Sequence, residues 1–119
     1  MQILKKKIST EELFANEILQ KNDWEEISWW YILNEDQIRE FQNQVNWRGI
    51  SINQILSESF IREFKDKVIW KYISDYQELS EAFIEEFKYY VDWKQIEARQ
   101  VLSEEFKTKF KNKWGGKKQ

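Results

Sequence analysis

A tryptophan recurs every 23 residues, at Trp24, Trp47, Trp70 and Trp93, with no insertion between copies. Ile27, Ile50, Ile73 and Ile96 keep the same interval, as do Leu33, Leu56, Leu79 and Leu102, and Phe41, Phe64, Phe87 and Phe110. Aligned columns at a fixed short period mark a repeat architecture, in which each unit cannot bury its apolar face alone and must stack on its neighbours. The units occupy residues 24–45, 47–68, 70–91 and 93–114.

Each unit divides into two short helices. The first follows a capping residue, Asp23, Asn46 or Asp92, whose side chain can accept from free backbone N–H groups; Ile69 is the exception. Trp70, Ile73 and Gln77 then share one helical face, and Leu79 closes the helix. A second cap follows at Asn34, Ser57, Ser80 and Ser103, with Glu58, Glu81 and Glu104 in the first turn, where the helix dipole favours acids. Phe60, Ile61, Phe64 and Val68 form an apolar arc about 100° wide, flanked by charged Arg62, Glu63, Lys65 and Asp66. Linkers of one or two residues predict antiparallel αα-hairpins. The repeated Gln54, Gln77 and Gln100 lie near the buried face and are expected to bond turn backbone between units.

The expected fold class is all-α: tandem αα-hairpin repeats of 23 residues stacked as a short, compact solenoid of about nine helices in one domain, residues 1–119. Residues 8–22 read as a lone N-terminal helix capped by Ser9 or Thr10, with Leu13, Phe14 and Ile18 on its apolar face. Lys107 replaces the isoleucine of the other units, as suits a terminal repeat with a solvated face. Gly115 and Gly116 are expected to end the last helix in the left-handed conformation, leaving 115–119 as a tail.

The chain has 119 residues and neither Cys nor His, which removes disulfides, thiol chemistry, the commonest general base and the commonest metal ligand. It has no phosphate loop and no nucleophile elbow, so a non-enzyme without cofactor or metal is expected. The N-terminal MQILKKKIST is not a secretory signal and no stretch is long and apolar enough to span a bilayer, so a cytoplasmic protein that avoids membranes is expected. Net charge is −2, unevenly spread. Residues 10–40 hold Glu11, Glu12, Glu17, Asp23, Glu25, Glu26, Glu35, Asp36 and Glu40 against Lys21 and Arg39, whereas the C-terminus holds Lys107, Lys109, Lys111, Lys113, Lys117 and Lys118 against Glu105.

The pattern W-x-x-I-S-x-x-Q-x-L-S-E-x-F-I-x-x-F-x-x-x-V, carried by Trp70, Ile73, Ser74, Gln77, Leu79, Ser80, Glu81, Phe83, Ile84, Phe87 and Val91, resembles short tandem helical repeats in uncharacterised proteins of bacteriophages, bacteria and giant viruses. It covers residues 24–114; the first unit departs most, with Gln37 in a Phe column and Tyr31 in the Gln column. The resemblance implies an association with mobile elements, and with it a host-cell cytoplasm, but no functional residues.

Candidate function therefore sits where one unit differs from the rest. Trp29, Trp30 and Tyr31 occupy positions held elsewhere by Ile52-Asn53-Gln54, Asp75-Tyr76-Gln77 and Ala98-Arg99-Gln100. Steps of about 100° prevent three adjacent rings from facing one core, so at least one is expected in solvent, where Trp and Tyr are interface anchors. The structural alternative places one Trp in the volume lost at Gln37 and another against the first helix. Tyr89 and Tyr90 are a second departure, with Tyr72 and Tyr76 extending that surface. Glu25, Glu26, Glu35 and Asp36 either meet a basic partner or form a solvated face. The leading expectation is a non-catalytic module binding a protein through these aromatics and acids, in its sharpest form an anti-CRISPR-like inhibitor of a defence nuclease complex. The alternatives are a nucleic-acid-binding accessory protein using the basic C-terminus and a self-assembling structural repeat.

Overall fold

The chain was examined as a computed structural model that describes residues 6–19 and 23–113, with residues 17–19 described by backbone alone. After a two-residue strand β1 (Lys6–Lys7) comes the lone helix α1 (Thr10–Leu19). The four units follow as α2 (Trp24–Trp30) and α3 (Glu35–Glu40), α4 (Trp47–Asn53) and α5 (Glu58–Glu63), α6 (Trp70–Tyr76) and α7 (Glu81–Glu86), and α8 (Trp93–Arg99) and α9 (Glu104–Lys109). Strand β2 (Tyr31–Ile32) lies between α2 and α3, and a 3-10 turn (Lys111–Lys113) follows α9. The architecture is all-α with repeated hairpins, as the period predicts.

The caps act as expected. Asp23 accepts from the Glu25 amide, Asn46 from Arg48 and Gly49, and Asp92 from Gln95. Asn34, Ser57, Ser80 and Ser103 accept from Gln37, Phe60, Phe83 and Phe106. Ile69 has no side chain to contribute. The helices are shorter and their connections longer than one or two residues. Gln77 leaves α6 in extended conformation (φ −95°, ψ 147°), so residues 77–80 separate the two helices of a unit. Between units, the amides of Lys67 and Val68 both bond the Phe64 carbonyl, a tight turn inside residues 64–69.

The first helices α2, α4, α6 and α8 stack in order, each packed on the next. The repeated glutamines join them. Gln77 Nε2 donates to the carbonyls of Ser51 (2.9 Å) and Gln54 (2.7 Å), while its Oε1 accepts the Leu56 amide (3.1 Å). Gln54 makes the same three bonds to Ser28, Tyr31 and Leu33, and Gln100 to Ser74, Gln77 and Leu79. A serine in each first helix works in the other direction. Ser28, Ser51 and Ser74 Oγ accept the amides of Asn46, Ile69 and Asp92, which open the following unit.

The second helices are tied at the surface. The carboxylates of Glu35, Glu58 and Glu81 accept from the amide and hydroxyl of the next unit's cap, Ser57, Ser80 and Ser103. Those acids therefore act across units as well as on their own helix dipoles. Arg39 bonds Glu63 through two nitrogens and Arg62 bonds Glu86 likewise. The last step is reversed in charge: Lys109 reaches Glu85 at 2.7 Å.

The core is the repeated set itself, with Ile27, Ile50, Ile73 and Ile96 and the second-helix residues Phe60, Ile61, Phe83 and Ile84 essentially sealed from water. Each repeated Trp sits at the rim. Trp70 stacks on Phe87 (5.2 Å) and Phe83 (6.2 Å), and its Nε1 donates to the Lys65 carbonyl, so a half-buried indole keeps its one donor satisfied.

Both ends depart from the pattern for a reason. At the start Ser9, rather than Thr10, caps α1: its hydroxyl accepts the Glu12 amide and Glu12 accepts the Ser9 amide, which holds the Glu12 carboxyl below its ordinary range. Leu13 is fully buried, but Phe14 is nearly half exposed, lying edge-on to Phe41 at 4.9 Å. That ring, rather than Trp29 or Trp30, joins the cluster in which Gln37 stands where a phenylalanine stands elsewhere. Gln37 itself bonds the Ile8 carbonyl at 2.7 Å. β1 pairs in parallel with β2, Lys6 opposite Tyr31 and Lys7 opposite Ile32, a strand pair the helical reading does not anticipate. At the far end Glu97 replaces the serine acceptor, and Lys107 is in solvent. The expected side-chain role of Ile18 and the glycine stop at 115–116 lie outside the described residues.

The body measures 54 × 32 × 20 Å with a Cα radius of gyration of 16.5 Å. A compact chain of this length would have about 13.5 Å. The expected compact solenoid is thus an elongated one, because each unit adds along a single axis.

Two outcomes follow from this packing. Phe64→Ala removes a buried ring and should cost about 3–5 kcal/mol in urea unfolding, whereas Arg62→Ala, whose guanidinium lies in solvent, should cost far less; equal effects would overturn the register. The hydrogen bonds from Arg39 and Arg62 hold the carboxyls of Glu63 and Glu86 below their ordinary value of 4.5. A depressed carboxylate stabilises the fold above its unfolded pKa and loses that contribution as pH falls through the folded one. Thermal stability should therefore decline below about pH 4.5, and Glu63→Gln with Glu86→Gln should flatten that decline.

Candidate partner-binding site

The N-terminal end of α2 follows the capped sequence Asp23-Trp24-Glu25-Glu26, and its last turn carries Trp29 and Trp30. Residues three and four apart on a helix share a side, so Glu25, Glu26, Trp29 and Trp30 project together. They enclose, with Asp23, a surface hollow of about 360 Å³. Among the described residues no cation is paired with its three carboxylates.

The two indoles differ. Trp30 is 50% exposed. Trp29 is half-buried because the next unit makes room for it: a Cβ at Gly49 would meet its Cδ1 and Nε1 at 3.1 Å and Ser28 Cβ at 3.2 Å. Glycine at 49 is thus a close-approach residue, letting one Trp seal α2 against α4 and form the floor of the hollow. Tyr31 is also half-buried and packs on the core, and its carbonyl accepts Gln54. Of the three adjacent rings, Trp30 is the one left mainly to solvent.

The remaining candidates lie elsewhere. Glu35 is engaged by Ser57 and Asp36 by Arg39, so neither joins the hollow. Tyr72 and Tyr76 lie on α6, the first with Arg48 and Lys71 over its ring, the second more than half exposed. Tyr90 packs on Trp70 and Phe87, while Tyr89 stands in solvent between Lys88 and Lys113. Tyr89–Tyr90 and Tyr72–Tyr76 therefore have different neighbours. In the basic C-terminus, Lys107 pairs with Glu104 and Lys109 with Glu85, which leaves Lys111 and Lys113 as its described lysines without a carboxylate.

Sequence reasoning missed Asp23 as a wall of the hollow, since its capping role accounts for it, and missed the exposed Ile55 and Val101, at 94% and 97%. Their signal is the column Ile32, Ile55, Glu78, Val101, in which an acid interrupts aliphatic residues, as no core column allows. Among the described residues no group of three or more acids could hold a metal ion, and no helix is long and apolar enough to cross a membrane. Neither known protein families, nor characterised proteins, nor solved structures give a match to this chain.

Chemically, an indole beside unpaired carboxylates is suited to a lysine or arginine side chain, which gains both cation–π attraction and charge pairing. The close contact at Gly49 makes a direct test of how Trp29 is held. Gly49→Ala should gain up to about 1 kcal/mol in helix propensity but force the indole to shift by a few tenths of an ångström. Stability should change little, while the Trp29 indole N–H resonance should move; an unmoved resonance would show that Gly49 does not set its position.

Proposed function

We propose that the protein is a non-catalytic interaction module that binds another protein by receiving a basic side chain in the hollow formed by Asp23, Glu25, Glu26, Trp29 and Trp30. The observation that carries this reading is the convergence of two indoles and three carboxylates in the most irregular unit of an otherwise regular stack. Anchors of this kind, aromatic and partly desolvated, dominate the energetics of protein interfaces. The phage-like repeat pattern favours a sharper version: an anti-CRISPR-like inhibitor whose acids occupy a basic nucleic-acid groove of a bacterial defence nuclease. Tyr72, Tyr76, Tyr89 and Tyr90 would extend the contact along the stack.

The test uses immobilised wild-type protein beside a Trp30→Ala/Glu26→Lys variant with unchanged circular dichroism, each exposed to purified RNA-guided nuclease complexes and to lysate of a defence-competent bacterium. Saturable capture of a protein by the wild type, weakened at least tenfold by the variant, is the expected result. Equal capture by both would remove the hollow from the reading. Undiminished DNA cleavage at a micromolar excess of the protein would remove nuclease inhibition.

A further inference from the structure

The extended connections form a second edge of the stack, distinct from the hollow. In extended backbone the carbonyl of one residue and the amide two residues later point to the same side, and the residue between them points to the other. Gln100 takes the Gln77 carbonyl and the Leu79 amide. The amide and carbonyl of Glu78 therefore face away from the fourth unit, toward the second. Neither has a hydrogen-bond partner among the described residues. Beside them lies an open groove of about 370 Å³ lined by Ile55, Tyr76, Glu78, Asp75 and Arg99, with Gln77 and Gln100 beneath. The Asp75–Arg99 pair is closed at 2.7 Å, whereas Glu78 is exposed and belongs to no ion pair.

The first unit displays what such an edge accepts. There Gln54 takes the Tyr31 carbonyl and the Leu33 amide, so Ile32 presents its backbone to the opposite side. That side is filled by the chain's own β1, pairing in parallel with Lys7 opposite Ile32. Glu78 is the residue of the third unit in the Ile32 column. A strand in the same register would place its lysine opposite a carboxylate instead of an aliphatic side chain, a favourable cross-strand pair.

We propose that the groove between Ile55 and Glu78 is a β-augmentation site for an extended, lysine-bearing peptide segment of a partner protein. The segment adds in parallel to the backbone of Glu78, with a basic residue on its carboxylate and apolar residues over Ile55 and Tyr76. Main-chain bonds then supply affinity and the alternate side chains supply specificity. This site is independent of the indole hollow and stands or falls without it.

The test titrates the ¹⁵N-labelled full chain with a synthetic peptide of its own β1 region, LKKKIS, and follows amide resonances and hydrogen exchange. Saturable shifts at Ile55 and Glu78, with at least tenfold slower exchange of the Glu78 amide, are the expected result. Glu78→Lys, a change at an exposed position, should weaken binding at least tenfold while leaving the spectrum of the core intact. The proposal is overturned if millimolar peptide shifts nothing, or if it shifts only Tyr31 and Ile32 by exchange with β1. It is equally overturned by shifts confined to Glu25, Glu26 and Trp30, which would favour the hollow alone, or by undiminished affinity of Glu78→Lys.

Discussion

One glutamine side chain per unit holds the layer of first helices together, and the rest of the stack depends on it. Its amide imitates a residue of a neighbouring strand, donating twice and accepting once across the gap between consecutive connections. Those connections are extended and partly buried, so their amides and carbonyls would otherwise be stranded without partners at a cost of about 1–3 kcal/mol each. The glutamine lets a helical hairpin end in a strand-like segment without a sheet to receive it. That arrangement in turn fixes the spacing at which the isoleucines of α2, α4, α6 and α8 meet, and at which each Ser caps the opening of the following unit.

The same constraint explains the irregular first unit. Tyr31 stands in the glutamine column because no unit precedes it, and the position across the gap is taken by β1, whose backbone does what the side-chain amide does elsewhere. Gln37 replaces a core phenylalanine because its amide is needed to bond the Ile8 carbonyl and so fasten the leading segment, while Phe14 restores the lost ring contact. Once the start of the stack is closed in this way, Trp29 and Trp30 are free of the regular packing, and Gly49 opens the space for one of them to lie flat on the next helix.

Most of the architecture was legible in the sequence because it is carried by columns: the caps, the Trp–Phe rim, the isoleucine core and the glutamine role all repeat, and repetition separates structural residues from incidental ones. The length of the connections was not legible, because Leu79 continues the apolar pattern of α6 although Gln77 has already left the helix. Strand β1 escaped notice because two lysines give no apolar alternation, and its pairing depends on the absence of a preceding unit. Of the candidate site residues, Glu25, Glu26, Trp29 and Trp30 meet in one hollow, whereas Glu35 and Asp36 are spent on Ser57 and Arg39. Composition ranks all six alike; only the partner each finds across the stack separates them.

The substitution of Glu97 for the serine acceptor carries a consequence for how such a chain can change over generations. Every inner unit both offers and receives the same set of bonds, so duplication or loss of an inner unit leaves all junctions matched. A unit copied onto the end would find a carboxylate where its opening amide needs a hydroxyl, and Lys107 where its neighbour needs an isoleucine. Recombination within the gene can therefore lengthen or shorten the interior freely, while the two termini remain as fixed bookends that travel with the first and last exons of the pattern rather than with its copy number.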